Sequence, residues 1–94
     1  MHPYDDFHME NINKPLIIKS FGKHLKSVRL ELGFSQEELA FRAGLDPTYI
    51  SGVETGKRNP TITTVYQIAG ALEISAQELL PEISEPGRKE NSDE

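Results

Sequence analysis

Several features that mark common protein classes are missing from this 94-residue chain. It has no cysteine, which excludes disulfides and thiolate metal sites and fits a reducing cytoplasm. No run approaches the ~20 apolar residues that span a bilayer. The N-terminus is acidic, where a secretory signal would be basic and then apolar. We therefore expect a cytoplasmic protein with no membrane partner.

Groups that carry catalysis or bind cofactors are also scarce. The histidines His2, His8 and His24 have neither metal-ligand spacing nor a plausible triad partner. The sequence contains no glycine-rich loop that would bind a phosphate group of a cofactor. We therefore expect no metal site, no cofactor and no enzymatic activity.

Basic residues are outnumbered by acidic ones, and the net charge of −5 argues at first against a nucleic-acid partner. The charges are segregated, however. Residues 14–58 contain eight Lys and Arg against five Asp and Glu, whereas residues 1–13 hold three acids and no Lys or Arg, and residues 59–94 hold seven acids and two bases. Solvated lysines would explain each charge singly, but the segregation favours one side that faces DNA.

Residues 35–59 have the pattern of two short helices joined by a tight turn, each ending at a glycine. The first opens with a capping box, because Ser35 is followed three residues later by Glu38. The second opens with Asp46 and Pro47, a capping acid before proline at the first helical position. The stretch predicts a helix-turn-helix.

The second of these helices, residues 47–55, has an outer face of small and nearly uncharged side chains. Ile50 and Val53 lie three residues apart and point inward. The outer face is left to Thr48, Ser51, Gly52 and Thr55. Such a face suits a helix whose backbone lies close to the floor of a major groove, although a helix packed against another part of the protein would explain it too.

Three further helices are predicted outside this stretch. Apolar residues recur at helical spacing after Phe21 and again after Thr61, and the second stripe closes the core. A capping box at Ser75 and Glu78 opens a short fifth helix that ends before Pro81. The expected fold class is all-α, with five helices.

The two ends of the chain differ from the helical domain, which we expect at residues 20–83. The leader, residues 1–19, mixes proline, aspartate and asparagine with few apolar residues, which predicts an irregular structure. Within it, residues 16–18 suit a short extended arm that docks on the domain or its partner, or a partly ordered tail. The polar tail, residues 84–94, should be disordered.

The run LDPTYISGVETGKRN resembles the controller proteins of restriction-modification systems, within the wider family of phage repressor and Cro-type DNA-binding domains. The matching positions are Gln36, Leu39, Ala40, Gly44, Ile50, Val53, Glu54 and Gly56. The resemblance covers about residues 20–80. It implies a compact lambda-repressor-like domain and a transcriptional regulator that binds double-stranded DNA.

The resemblance also implies roles for single residues. Those expected to face bases are Pro47, Thr48, Ser51 and Gly52. Those expected to contact the DNA backbone are Gln36, Tyr49, Lys57, Arg58 and Asn59. Pro47 departs from the pattern, because relatives place Gln or Arg there and proline forms no bidentate bond to a base. Specificity would then rest more on DNA shape or on Arg58 reaching a base.

Two structural roles follow from the same resemblance. A partly buried ion pair between Arg29 and Glu54 is implied, with two independent surface charges as the alternative. A homodimer on a roughly palindromic operator is implied as well, with the two helices 47–55 about 34 Å apart. The candidate dimer contacts are Leu79, Leu80 and Ile83, unless they merely complete the monomer core.

A second class of function stays open. An antitoxin or a phage-type interaction protein would combine a genuine helix-turn-helix with a segment that binds a protein partner. The leader, residues 1–19, is the feature that supports this alternative. A restriction-modification controller and a general repressor share the same chemistry, so gene neighbourhood would be needed to separate them.

Overall fold

The computed structural model describes residues 12–83, which form helices and no strand. The elements within this range are α1 (Lys14–Glu31), α2 (Gln36–Ala43), α3 (Pro47–Glu54), α4 (Ile62–Leu72) and a 3₁₀ helix (Ala76–Leu79). No helix in this range is both long enough and apolar enough to cross a bilayer. The predicted disordered tail and residues 1–11 of the predicted leader lie outside the described residues.

The first helix begins earlier than the sequence pattern predicts. The Asn13 side chain caps α1 by accepting a hydrogen bond from the Leu16 N–H at 3.1 Å, and Pro15 lies in the first turn, where a missing N–H costs nothing. The prediction of an extended arm at residues 16–18 is therefore wrong. Asparagine and proline suggest a loop, but here they form the start signal of a helix.

The core is built by side chains from every one of these elements. Leu25 of α1, Leu39 of α2, Ile50 of α3 and Ile68 of α4 are fully buried. The rest of the core cluster consists of Phe21, Ala40, Val53, Val65, Ala69, Leu72 and Leu79. The apolar stripes predicted from helical spacing thus face one another, which fixes α3 with its opposite side toward solvent.

The predicted fifth α-helix is a four-residue 3₁₀ helix. Ser75 and Glu78 form the expected capping box, in which the Glu78 carboxylate accepts from the Ser75 N–H at 3.4 Å. Pro81 follows too closely for a second turn, because the residue before a proline is disfavoured in helical conformation. His24 of α1 holds this element in place through a 2.7 Å hydrogen bond between its Nε2 and the Glu78 carbonyl.

A single glycine allows α1 and α3 to cross in close contact. A Cβ at Gly22 would overlap the carbonyl oxygen of Val53 and would lie 2.8 Å from that of Glu54. Both obstacles are backbone atoms, which cannot rotate away as a side chain can. Gly22 therefore sets the distance at which α3 lies on the long first helix.

Candidate nucleic-acid interface

The turn between α2 and α3 has the caps that the sequence predicts. Ser35 Oγ accepts from the Glu38 N–H at 2.9 Å at the start of α2, and Asp46 Oδ1 accepts from the Thr48 N–H at 2.7 Å at the start of α3. Between them, Gly44 adopts a left-handed conformation with φ of 72°, which an L-residue with a side chain rarely adopts. The two short helices are thereby held at a fixed angle.

One face of α3 lies in the core and the opposite face lies in solvent. Ile50 and Val53 are fully buried, whereas Pro47 and Thr48 are exposed and Ser51 is half-buried. The exposed residues of the helix itself thus have small, uncharged side chains at its N-terminal end, next to the capping carboxylate of Asp46. A backbone with such a surface can approach the edges of base pairs closely.

Arg58 covers part of this face. Its Cγ would lie 2.7 Å from a Cβ built on Gly52, and its N–H donates to the Gly52 carbonyl at 3.1 Å. Its guanidinium carbon lies 6.0 Å from the ring centroid of Tyr49, which is half-buried on the same helix. Gly52 thus offers little free surface of its own, and Arg58 occupies the outer side of the helix at that level.

The loop after α3 is tied back to the helix end. The Thr55 hydroxyl donates to the Ser51 carbonyl at 3.0 Å, and the Lys57 N–H donates to the Gly52 carbonyl at 2.8 Å. These bonds leave the side chains of Lys57, Arg58 and Asn59 exposed on an ordered turn. The Thr55 hydroxyl is bonded within the protein, although its position in the sequence also indicates the outer face.

A buried network links α1, α2 and α3 beneath this surface. Arg29 Nε donates to Glu54 Oε2 at 2.6 Å and Arg29 Nη2 donates to Glu54 Oε1 at 2.9 Å. Gln36 Nε2 donates to the same Oε1 at 2.9 Å, and Arg29 Nη1 donates to the Phe34 carbonyl at 2.7 Å. The side chains of Arg29 and Glu54 are only 5% and 1% exposed. The implied pair is therefore present and is buried more deeply than expected.

The charge of Arg29 is stable to pH. The hydrogen bond to Glu54 raises the pKa of Arg29 above its ordinary value, although burial opposes the shift. Because the pKa is raised in the folded state, the charged form of Arg29 contributes its full stabilisation of the fold below the ordinary pKa. This stabilisation is lost only as the pH rises through the raised pKa. Since the ordinary pKa of arginine already lies far above neutral pH, the guanidinium stays charged at any working pH.

Gln36 has a role that its sequence position does not reveal. The resemblance implies a phosphate contact, yet one donor of its side-chain amide is already bonded to Glu54. The amide carries a second N–H, and the residue is half-buried at the start of α2. A phosphate contact therefore has to use that second donor, which the Glu54 bond orients.

The model of the helix-turn-helix family HTH_3 matches residues 25–79, more than half of the chain. The chain belongs to this helix-turn-helix family. The matched range begins within α1 and ends with the 3₁₀ helix, so it contains the core described above except Phe21.

Relatives within the helix-turn-helix family include regulators and controllers. The HTH-type transcriptional regulator y4dJ of Sinorhizobium fredii is 42% identical over 62 residues, which cover 66% of this chain and 80% of that protein. The control protein C.BamHI of Bacillus amyloliquefaciens is 39% identical over 61 residues, 64% of this chain and 75% of that protein. The predicted resemblance to regulators of this kind is confirmed.

A solved structure of this kind is similar to the fold. The restriction-modification controller protein C.AhdI of Aeromonas hydrophila matches with a TM-score of 0.63 at 44% identity. The match covers 67% of this chain and 94% of that chain. The all-α helix-turn-helix fold is thus shared with a controller protein, whereas the count of five α-helices is not met by the described residues.

The three candidate dimer contacts of this helix-turn-helix protein have different surroundings. Leu79 is fully buried in the monomer core, so its assignment to a dimer contact is wrong. Leu80 is 52% exposed and Ile83 is half-buried beyond the 3₁₀ helix. Within one turn, Leu79 faces the core and Leu80 faces solvent. The sequence pattern alone does not tell which of these two adjacent leucines is buried.

The described residues do not bring potential metal ligands together. Residues 12–83 contain no group of three or more His, Asp or Glu side chains that could hold a metal ion.

Two features were not predicted from the sequence, the close contact at Gly22 and the position of Lys19 against Gly56. Both depend on how α1 crosses the end of α3, for which a single sequence contains no signal.

Proposed function

We propose that this chain, a helix-turn-helix transcriptional regulator, binds a specific sequence of double-stranded DNA as a homodimer. The observation that carries the proposal is the outer face of α3. Its own outer residues Pro47, Thr48 and Ser51 are uncharged, a buried ion pair braces the helix from below, and the cations Lys57 and Arg58 lie at its C-terminal end, with Arg58 over Gly52. These are the properties of a helix that enters a major groove.

Readout begins at the N-terminal half of α3. The hydroxyls of Thr48 and Ser51 donate to or accept from base edges, and the Thr48 methyl group contacts thymine. Pro47 fills the position where a longer side chain would bond a base, and it contributes close apolar contact only. Arg58, which lies along the same face, supplies the long donor that Pro47 lacks.

Backbone contacts fix the register of the helix in the groove. Lys57 and Asn59 bond phosphates from the exposed loop after α3, and Gln36 bonds a phosphate from the start of α2. Tyr49 contacts the backbone with its hydroxyl from the side of α3. Because these contacts displace counterions from DNA, the affinity should fall steeply as salt is raised.

A two-fold dimer would read two half-sites. Leu80 and Ile83 form the contact between subunits, since they lie next to the core but outside it. Two copies of α3 about 34 Å apart then enter successive major grooves on one side of the duplex, and the operator is roughly palindromic. Restriction-modification control is the favoured setting, because C.AhdI is described as a restriction-modification controller protein and C.BamHI as a control protein.

The proposal is tested by selecting bound duplexes from a random DNA library at two salt concentrations. We expect an enriched two-fold symmetric motif whose half-sites lie about one helical turn apart, at 10–10.5 base pairs. Recovery of no motif at either salt concentration would contradict sequence-specific binding. A motif without symmetry would instead contradict the dimer and leave the readout by α3 standing.

A further inference from the structure

A recess lies between the first half of α1 and the C-terminal end of α3, apart from the exposed face of α3. Its volume is about 340 Å³, and its lining consists of Leu16, Lys19, Ser20, Lys23, Glu54 and Thr55. The two lysines lie four residues apart on one face of α1, so both side chains reach the same recess. None of the roles described so far uses Lys19 or Lys23.

The recess has a net positive charge although an acid contributes to its lining. The carboxylate of Glu54 accepts three hydrogen bonds, two from Arg29 and one from Gln36, and its side chain is 1% exposed. Its charge is therefore compensated within the protein. Lys19 and Lys23 are exposed, and no ion pair of either with an acid is found among the described residues.

The end of α3 does not repel an anion here as a free helix terminus would. The carbonyl of Ser51 accepts from the Thr55 N–H, that of Gly52 from the N–H groups of Lys57 and Arg58, and that of Val53 from the Gly56 N–H. These bonds satisfy acceptors that would otherwise carry the negative end of the helix dipole. Lys19 and Lys23 are therefore the uncompensated charged side chains that line the recess.

The recess is continuous with the loop that is expected to contact phosphates. The stem of Lys19 lies directly over Gly56, where a Cβ would come within 2.6 Å of Lys19 Cγ. Lys57 follows Gly56 in the chain and is exposed. A row of cations thus runs from the loop after α3 onto the side of α1, away from the surface that faces bases.

We propose that this recess binds a phosphate group of the DNA backbone next to the groove that α3 enters. The inference rests on the proposed function and extends its footprint to a helix outside the helix-turn-helix. Lys19 and Lys23 each donate from a compact ammonium group, which binds a phosphate as a point charge without reading sequence. The site therefore contributes affinity and register, and it contributes no discrimination between bases.

The test compares the double variant Lys19→Gln/Lys23→Gln with Lys14→Gln, both as full-length protein. Lys14 is a matched control, because it is an exposed lysine of α1 that does not line the recess. Binding is measured over a range of salt concentrations, both to the selected operator and to a scrambled duplex. We expect the double variant to lose affinity for both duplexes by a similar factor, and its slope of log K against log salt to be shallower by about 0.9 per lost contact.

The phosphate itself can be located with duplexes in which one backbone phosphate at a time is replaced by a neutral methylphosphonate. Replacing one particular phosphate in each half-site should weaken binding by the wild-type protein. The same replacement should not weaken binding by the double variant, which already lacks the contact. A circular dichroism melt of each variant shows that the fold is intact, so that a loss of binding reports on the recess.

Three results would overturn the inference. The double variant could retain the wild-type salt slope while the wild type binds its operator, which would refute the recess site and leave the proposed function intact. The loss could be confined to the operator and absent from the scrambled duplex, which would indicate base readout. Inorganic phosphate could shift the NMR signals of Lys19 and Lys23 while the salt slope is unchanged, which would indicate a site for a free anion. Failure of the wild type to bind any duplex is the separate result that would refute the proposed function.

Discussion

At the scale of single residues, the orientation of α3 depends on the side chains that hold it from behind. Arg29 and Glu54 are both buried, and a charge left alone in such a place costs several kcal/mol because water no longer solvates it. The guanidinium also bonds the Phe34 carbonyl, so the pair connects α1 to the turn before α2. The pair is therefore better described as a brace that fixes orientation than as a source of net stability.

We expect Glu54→Ala to lower the free energy of unfolding by about 3–5 kcal/mol, because it leaves Arg29 buried without its counter-charge. The control is the double variant Arg29→Met/Glu54→Leu, which removes both charges and keeps similar volume, and which should recover much of the loss. Urea denaturation at 25 °C measures both. If the double variant were as unstable as Glu54→Ala, the uncompensated charge would not be the cause.

Gly52 and Arg58 form a second pair that can be separated by mutation. A Cβ at Gly52 would meet the flexible Arg58 side chain and no backbone atom, so Gly52→Ala should gain up to about 1 kcal/mol in helix propensity and displace Arg58 from α3. We expect Gly52→Ala and Arg58→Ala to weaken operator binding to a similar degree, and the double variant to be no weaker than Arg58→Ala. Fluorescence anisotropy with a labelled operator measures this. Additive losses would mean that Gly52 acts independently of Arg58.

At the scale of elements, the position of α3 on α1 is set by a backbone contact. Gly22 is the residue of α1 that lies against the last carbonyl groups of α3, and a side chain there has nowhere to go. The network of Arg29 and Glu54 fixes the same crossing two turns further along α1. A small shift at this crossing would move the exposed face of α3 relative to the flanking cations.

We expect Gly22→Ala to destabilise the fold by about 1–3 kcal/mol, as overpacking of a tight contact does. Gly70→Ala is the matched control, because Gly70 is an exposed residue of α4 with no atom within 4 Å of its would-be Cβ. The control should be stabilised by about 0.5–1 kcal/mol. Thermal unfolding of both variants distinguishes the two cases, and equal changes would argue against the close crossing.

Much of this architecture could be predicted from the sequence, since it depends on local chemistry. Caps at Ser35 and Asp46 and the glycine at position 44 act within a few residues, so α2, the turn and α3 follow from the pattern. The start of α1 was harder, because Asn13 and Pro15 favour a helix start and a loop alike. Contacts between distant segments, such as that of Gly22 with α3, could not be predicted because nothing local requires them.

At the scale of the whole molecule, the basic segment and the candidate dimer contacts lie in different parts of the chain. The acids in excess lie in residues 1–13 and 59–94, whereas residues 14–58 carry the excess of bases. The candidate contacts between subunits, Leu80 and Ile83, lie outside the basic segment. Dimerisation and DNA binding should therefore be separable by mutation.

We expect Leu80→Glu/Ile83→Glu to shift the protein from dimer to monomer, because two carboxylates would have to be buried without partners. The control is Phe41→Glu, since Phe41 is 86% exposed on α2 and has no proposed role in the dimer. Sedimentation velocity at micromolar concentration measures the change. A dimer that persists in the double variant, or dissociates in the Phe41 variant, would place the interface elsewhere.

The central claim is that α3 reads a DNA sequence, and its most direct test is a comparison of two affinities. Binding of the full chain to its selected operator and to a scrambled duplex of equal length is measured near physiological salt. We expect the operator to be bound at least about a thousandfold more tightly, and Thr48→Ala to reduce this ratio. Equal affinities for the two duplexes, with the same steep salt dependence, would contradict it, because such binding uses only the phosphate backbone.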